Sequence, residues 1–117
     1  MAKTKQDQRK WVARHRFARI APRKAQVVIG LIRGRRCSDA LEQLRFNHRR
    51  AARFIQHVLK SAMVSADEQE ADMRRLVVKE ARVDGGPYYQ RWRPKDRGRA
   101  HPIAKRTSHI EVTVVEG

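Results

Sequence analysis

The chain has 117 residues, enough for one small domain with a modest core. Its 28 Lys and Arg against 12 Asp and Glu leave a formal charge of +16, which argues for a phosphate-rich partner whose counterions are released on binding. No apolar run nears the ~18 residues of a spanning helix and no apolar signal core follows the basic N-terminus, so neither membrane insertion nor secretion is expected.

Residues 1–13 are polar, basic and without periodicity, and read as a basic N-terminal tail, with Trp11 placed to anchor the point where order begins. Residues 14–117 read as a single domain. Near Val12 the chain enters a short stretch reaching Ile20, read as a strand with Arg14, His15 and Arg16 on its exposed edges. Pro22 suits the first turn of a helix, where its missing N–H costs nothing. Ala25, Val28, Ile29 and Ile32 recur at helical spacing, and Gly34 supplies a stop. Ser38 or Asp39 is expected to cap a short second helix carrying Leu41 and Leu44. Asn47 is expected to cap the longest helix, whose apolar face runs from Ala51 through Phe54, Ile55, Val58, Leu59, Ala62 and Met63 to Ala66. The acidic residues 67–72 end it.

Two strands follow, Leu76 to Val83 and His109 to Val115. Ile110, Val112 and Val114 alternate cleanly; in the partner, Lys79 interrupts the phase, which predicts a bulge near Lys79 or Glu80. Between them lies a cationic excursion, residues 85–107. If it folds back on itself, each limb has about 11 residues and a reach of roughly 35 Å. The fold class expected is α+β: three helices packed on a small, about three-stranded antiparallel sheet, with a long protruding β-hairpin arm.

Arg91, Arg93, Lys95, Arg97 and Arg99 fall on alternate positions and would share one side of an extended chain. Such a row repels itself and needs a polyanion. Tyr88 and Tyr89 fit either base contact or packing against the hairpin stem, whereas Trp92, flanked by arginines, is read as contacting a partner. The helix ends repeat the theme. Arg23 and Lys24 open the first helix; His48, Arg49, Arg50 and Arg53 open the third, against the macrodipole by about 0.3–1 kcal/mol each. Phosphate at those ends would offset the penalty.

Signs of catalysis are poor. The five histidines show no ligand spacing, the lone Cys37 leaves no internal disulfide and no common zinc arrangement, and no phosphate-binding glycine loop occurs. Neither an enzyme nor a metal or other cofactor is expected.

Several segments together resemble a known family. They are Ala18-Arg19, Pro22-Arg23-Lys24, Leu31-Ile32-Arg33-Gly34, Ala40-Leu41, Lys60-Ser61-Ala62, Val83-Asp84 and Gly86-Pro87. In the arm follow Arg91, Pro94 and Gly98-Arg99-Ala100, and finally Lys105-Arg106-Thr107-Ser108-His109-Ile110. In order and spacing the chain is similar to the family of large ribosomal subunit protein twenty-two, bacterial type, over about residues 14–115. The resemblance implies binding to 23S-type ribosomal RNA across several of its domains, neighbouring large-subunit proteins and the nascent peptide as further partners, and a cytoplasmic location, with no homo-oligomer. The RNA-binding set then comprises Arg14, Arg16, Arg19, Arg23, Lys24, Arg49, Arg50, Arg53, Arg91, Arg93, Lys95, Arg97, Arg99, Lys105 and Arg106. The family's hairpin tip lines the peptide exit tunnel; by position that is about Tyr89 to Arg97, including Gln90, Arg91, Trp92, Arg93, Pro94 and Lys95. The chain departs from the family pattern at Gln90, Asp96, Gly85 and Ser65. The rival reading is an architectural DNA-binding protein with a basic arm.

Overall fold

The computed structural model describes residues 9–95 and 99–117; for residues 88–95 and 99–105 the description is of backbone alone. Strand β1 (Lys10–Ala18) is followed by helices α1 (Pro22–Ile29), α2 (Cys37–Phe46) and α3 (Arg50–Glu68), a 3-10 turn (Met73–Arg75), and the two long strands β2 (Leu76–Lys95) and β3 (Arg99–Glu116). The sheet is antiparallel in the order β1-β3-β2. The expected α+β fold, three helices on a three-stranded sheet, is what the chain adopts.

Alternation explains which side of the sheet the helices cover. Ile110, Val112 and Val114 of β3 are fully buried, as are Val28 and Ile29 of α1 and Ile55, Leu59 and Ala62 of α3. On β1, Trp11 is buried and donates from Nε1 to Gln69 Oε1 at 3.1 Å, while the His15 ring lies 5.4 Å from Phe54. Thus β1 runs along α3 from the helix's C-terminal end towards its N-terminal end. The opposite face of the sheet is open and carries a row of charge across all three strands: Arg14 and Arg82 both bond Glu111 Oε2, at 3.0 and 3.1 Å.

The element ends differ from the sequence reading in instructive ways. β1 starts at Lys10, two residues before Val12. α1 stops at Ile29, and a series of turns carries the chain on to Gly34, whose φ of 74° is left-handed. Its N–H donates to Val78 O, Val78 N–H donates to Arg35 O, and Arg33 Nε donates to Ala81 O. The early stop therefore frees residues 33–35 to cover part of the β2 edge, a position otherwise open to stray pairing. α2 starts at Cys37 behind Arg36, without a side-chain cap from Ser38 or Asp39. Asn47 does not cap α3. Its Oδ1 accepts from Arg49 N–H at 2.9 Å, a local turn two residues ahead of the helix, and Arg49 itself is the cap residue. The bulge expected near Lys79 or Glu80 is present, between Val78 and Glu80.

The two long strands pair past the body, with two register shifts, from Leu76↔Glu116 out to Lys95↔Arg99. The chain extends 73 Å along its longest axis but 28 and 21 Å along the others. Its radius of gyration is 17.7 Å, against about 13 Å for a compact chain of this length. Pairing of the arm needs only backbone groups, so a run without core pattern can still form strand. Pro87 sits at the second register shift, between Gly85 and Tyr88, where the ladder is already interrupted.

Candidate nucleic-acid interface

The arm leaves the body through a junction built from Gly86, Pro87 and the Thr107-Ser108-His109 segment. Thr107 Oγ1 donates to Pro87 O at 2.7 Å, tying the two limbs together where the register shifts. Ser108 Oγ donates to Ile20 O at 2.6 Å, and His109 Nδ1 accepts from Phe17 N–H at 3.1 Å; both tie the arm's returning limb to the end of β1. Thr107 and Ser108 are buried, so each hydroxyl depends on its partner. A Cβ on Gly86 would come within 2.4 Å of Thr107 Oγ1, so only glycine fits. A Cβ on Gly85 would lie 3.9 Å from Pro22 Cγ, which puts the start of α1 beside the arm's base.

The N-terminal end of α3 lies at the same end of the body. His15 meets Phe54 there, and the Arg50 guanidinium sits 5.6 Å over the Phe54 ring, a cation–π contact. Neither α1 nor α3 has a side-chain cap or an acid in its first turn. The basic helix starts thus converge on the end from which the arm projects, while the acids Asp67, Glu68, Glu70 and Asp72 stand at the far end with Arg9, Arg74 and Arg75. A charge order that works against each helix separately gives the molecule as a whole a cationic pole.

Within the expected RNA-binding set, Arg16, Arg19, Arg23, Lys24, Arg49 and Arg53 are exposed, and their side chains have no hydrogen-bond or ion-pair partner among the described residues. Arg14 differs, because Glu111 engages it. Burial raises the Glu111 carboxyl, but hydrogen bonds and charge from Arg14 and Arg82 outweigh it and hold the group below its ordinary 4.5. Glu111, by hydrogen bond and charge, and then Asp84 by charge push the Arg82 guanidinium up. Arg91, Arg93, Lys95, Arg99 and Lys105 take their places on the arm's ladder as backbone positions, with Lys95 opposite Arg99 and Arg93 opposite His101. Arg106 is exposed. Arg97, and with it part of the tip expected at Tyr89 to Arg97, lies outside the described residues, as does most of the expected tail.

Sequence reasoning missed Phe17. It has a φ of 60°, a conformation that costs a bulky side chain on the order of 1–3 kcal/mol, and is 52% exposed. Between His15↔Ile110 and Ala18↔Ser108, both Arg16 and Phe17 stand against His109, a bulge of two residues opposite one. Beside it lies an open depression of about 480 Å³, bordered by Arg14, Arg16, Phe17, Arg82, Asp84, His109, Ile110 and Glu111. An aromatic in a strand pattern gives no hint that a bulge will turn it outward. Cys37 is buried, and that burial pushes its thiol up to about 11, which leaves it protonated and inert at neutral pH. Among the described residues no group of His, Cys, Asp and Glu could hold a metal ion, and no helix is long and apolar enough to cross a membrane.

Residues 13–115 match the family of ribosomal protein L22p/L17e. The chain belongs to that family. It is also 50% identical, over 101 residues, to large ribosomal subunit protein uL22 of Protochlamydia amoebophila (strain UWE25), an alignment covering 85% of this chain and 90% of that protein. The family's span begins inside β1 and ends at the last buried residue of β3, so it takes in the body, the junction and the arm together.

Proposed function

We propose that this chain is a structural component of the large ribosomal subunit, in the cytoplasm, that binds 23S-type ribosomal RNA. The observation that carries this reading is the cationic pole: two uncapped helix starts, the exposed arginines of β1 and the base of a long basic hairpin meet at one end of the body. Exposed guanidinium and ammonium groups there offer hydrogen bonds and charge to phosphates, and the uncapped helix N–H groups add to them. Arg16, Arg19, Arg23, Lys24, Arg49, Arg50 and Arg53 bind from the body, with Arg14 shared between Glu111 and RNA. Arg91, Arg93, Lys95, Arg97, Arg99, Lys105 and Arg106 bind along the arm.

Lys95 and Arg99 are backbone partners at the outer end of the ladder, so the arm carries its cationic sequence on both limbs. An arm of this length reaches well beyond the body and bridges RNA segments. Its tip, about Tyr89 to Arg97, lines the peptide exit tunnel, which makes the nascent peptide and neighbouring large-subunit proteins its other partners. The role is architectural rather than enzymatic, and uses no cofactor.

Binding to 23S-type ribosomal RNA and to duplex DNA of equal length, at equal salt, tests this. The reading requires the RNA to bind more tightly, with a chain carrying the same charge in scrambled order losing that preference. Equal or tighter binding to duplex DNA would favour the architectural DNA-binding alternative.

A further inference from the structure

We propose that the depression on the open face of the sheet takes an unpaired nucleobase of RNA, stacked on the Phe17 ring. Such a ligand rests on the RNA-binding reading above and adds to it a base-recognising site on the body, at the foot of the arm.

Three observations support a base rather than a phosphate alone, and a fourth adds a contact to the phosphate that the base carries. First, Phe17 is a large apolar side chain half exposed on a strongly basic protein, and it is held there in a left-handed backbone conformation by the hydrogen bond from its N–H to His109 Nδ1. Inward positions run Trp11, Ala13, His15 and then Ala18, so the bulge turns Arg16 and Phe17 outward together while Ala18 returns to the core. Second, the His109 ring meets Phe17 edge-to-face, with centroids 4.9 Å apart and planes at 85°. This contact fixes the phenyl ring on one side and leaves the other side open, as a stacking platform requires. Third, among Arg14, Arg16 and Arg82 the walls also carry two carboxylates, Asp84 and Glu111, with Asp84 Oδ2 3.6 Å from Arg82 Nε; carboxylates accept hydrogen bonds from base N–H groups, which a phosphate lacks. Glu111 Oε2 is occupied by Arg14 and Arg82; its other oxygen takes no hydrogen bond among the described residues. Fourth, Arg16 stands beside Phe17 in the same bulge, exposed and without a partner among the described residues. It is placed to hold the phosphate attached to a stacked nucleotide, while the carboxylates address the base.

Phe17→Gly is the decisive variant, because glycine adopts a φ of 60° without strain and the fold is kept while the ring is removed. Against full-length 23S-type ribosomal RNA transcribed in vitro, its Kd should rise roughly 5- to 100-fold. The salt dependence should stay that of the wild type, since a stacked base releases no counterions. Phe17→Trp should bind within a few-fold of wild type, and Arg16→Gln should instead lower the salt slope by about 0.7–0.9. Probing the RNA with dimethyl sulfate and a carbodiimide should reveal one unpaired base shielded by the wild type and reactive with Phe17→Gly. Equal affinity and identical footprints for wild type and Phe17→Gly would overturn this site and leave the RNA-binding reading standing. A Phe17→Gly loss that flattens the salt slope as Arg16→Gln does would also overturn it, because Phe17 would then act only by positioning Arg16. Failure of the wild type to bind the RNA would remove both readings.

Discussion

Body and arm are made from the same two strands, yet they are held in different ways. In the body, β2 and β3 have a third strand beside them and three helices over one face, and Leu76, Val78, Ile110, Val112 and Val114 are excluded from water. Beyond Gly85 and Ser108 the ladder continues with neither: among the described residues, β2 and β3 pair there only with each other. A two-stranded ribbon is marginal in water at best. The body is therefore stabilised by burial, whereas the arm relies on its junction, its ladder and whatever anion meets its cations. One continuous hairpin can thus be folded at one end by hydrophobic packing and completed at the other by a partner.

The largest effect that would sharpen this contrast is on stability. Ile110→Ala, in the centre of the sheet and fully buried, should cost about 2–5 kcal/mol, read as a lower denaturation midpoint. Deleting residues 88–102 and closing the gap with a short turn should leave unfolding cooperative, since the core among the described residues is built without them. An arm-deleted chain without a cooperative transition would break the division.

Gly86→Ala comes next. Its Cβ would press on Thr107 Oγ1 and, at 3.3 Å, on the Thr107 carbonyl carbon, in a site where Thr107 is buried and bonded to Pro87. A loss of about 1–3 kcal/mol is expected from the forced shift. Amide chemical-shift changes should centre on residues 85–87 and 106–109, leaving α2 unchanged. If stability and shifts match the wild type, the junction is more compliant than this geometry implies.

The smallest effect belongs to the charge row on the open face. Because Glu111 is held below its ordinary 4.5 in the folded chain, it contributes stability that is present above that value and is lost as pH falls through the folded one. Wild type should therefore show a component of acid destabilisation below pH 4.5 that Glu111→Gln lacks. Parallel acid-unfolding curves for the two would show that the Arg14–Glu111–Arg82 row does not contribute.

The sequence made the body legible where periodicity is strict. Ile110, Val112 and Val114 mark one face of a strand, Phe54 to Ala66 mark one face of a helix, and Lys79 out of phase marks the bulge. Family motifs singled out Thr107-Ser108-His109 without saying why; the structure gives the reason, three side chains that tie the arm's returning limb to Pro87, Ile20 and Phe17. Caps were misread because capping is local and competes with tertiary contacts. Asn47 spends its side chain on a turn, and α1 stops short so that residues 33–35 can meet β2. Phe17 was invisible for a related reason. Its exposure comes from one extra residue in β1, which no alternation of apolar and polar positions records. Among the cations, sequence could name candidates but could not separate Arg14, engaged by Glu111, from Arg16, which is free of described partners.

The central claim is that the folded body anchors the RNA and the arm completes the contact. Ordering a chain segment costs roughly 1–2 kcal/mol per residue, and the body has met that cost before it binds. Measuring Kd for 23S-type ribosomal RNA as a function of salt, for two triple variants, tests this most directly. Arg23, Arg49 and Arg53 changed to Gln should weaken binding and lower the salt slope by about 2–3, at 0.7–0.9 per lost phosphate contact. Arg91, Arg93 and Arg99 changed to Gln should cost distinctly less affinity. If the arm variant abolishes binding while the body variant matches wild type, the arm is the anchor and the account is wrong.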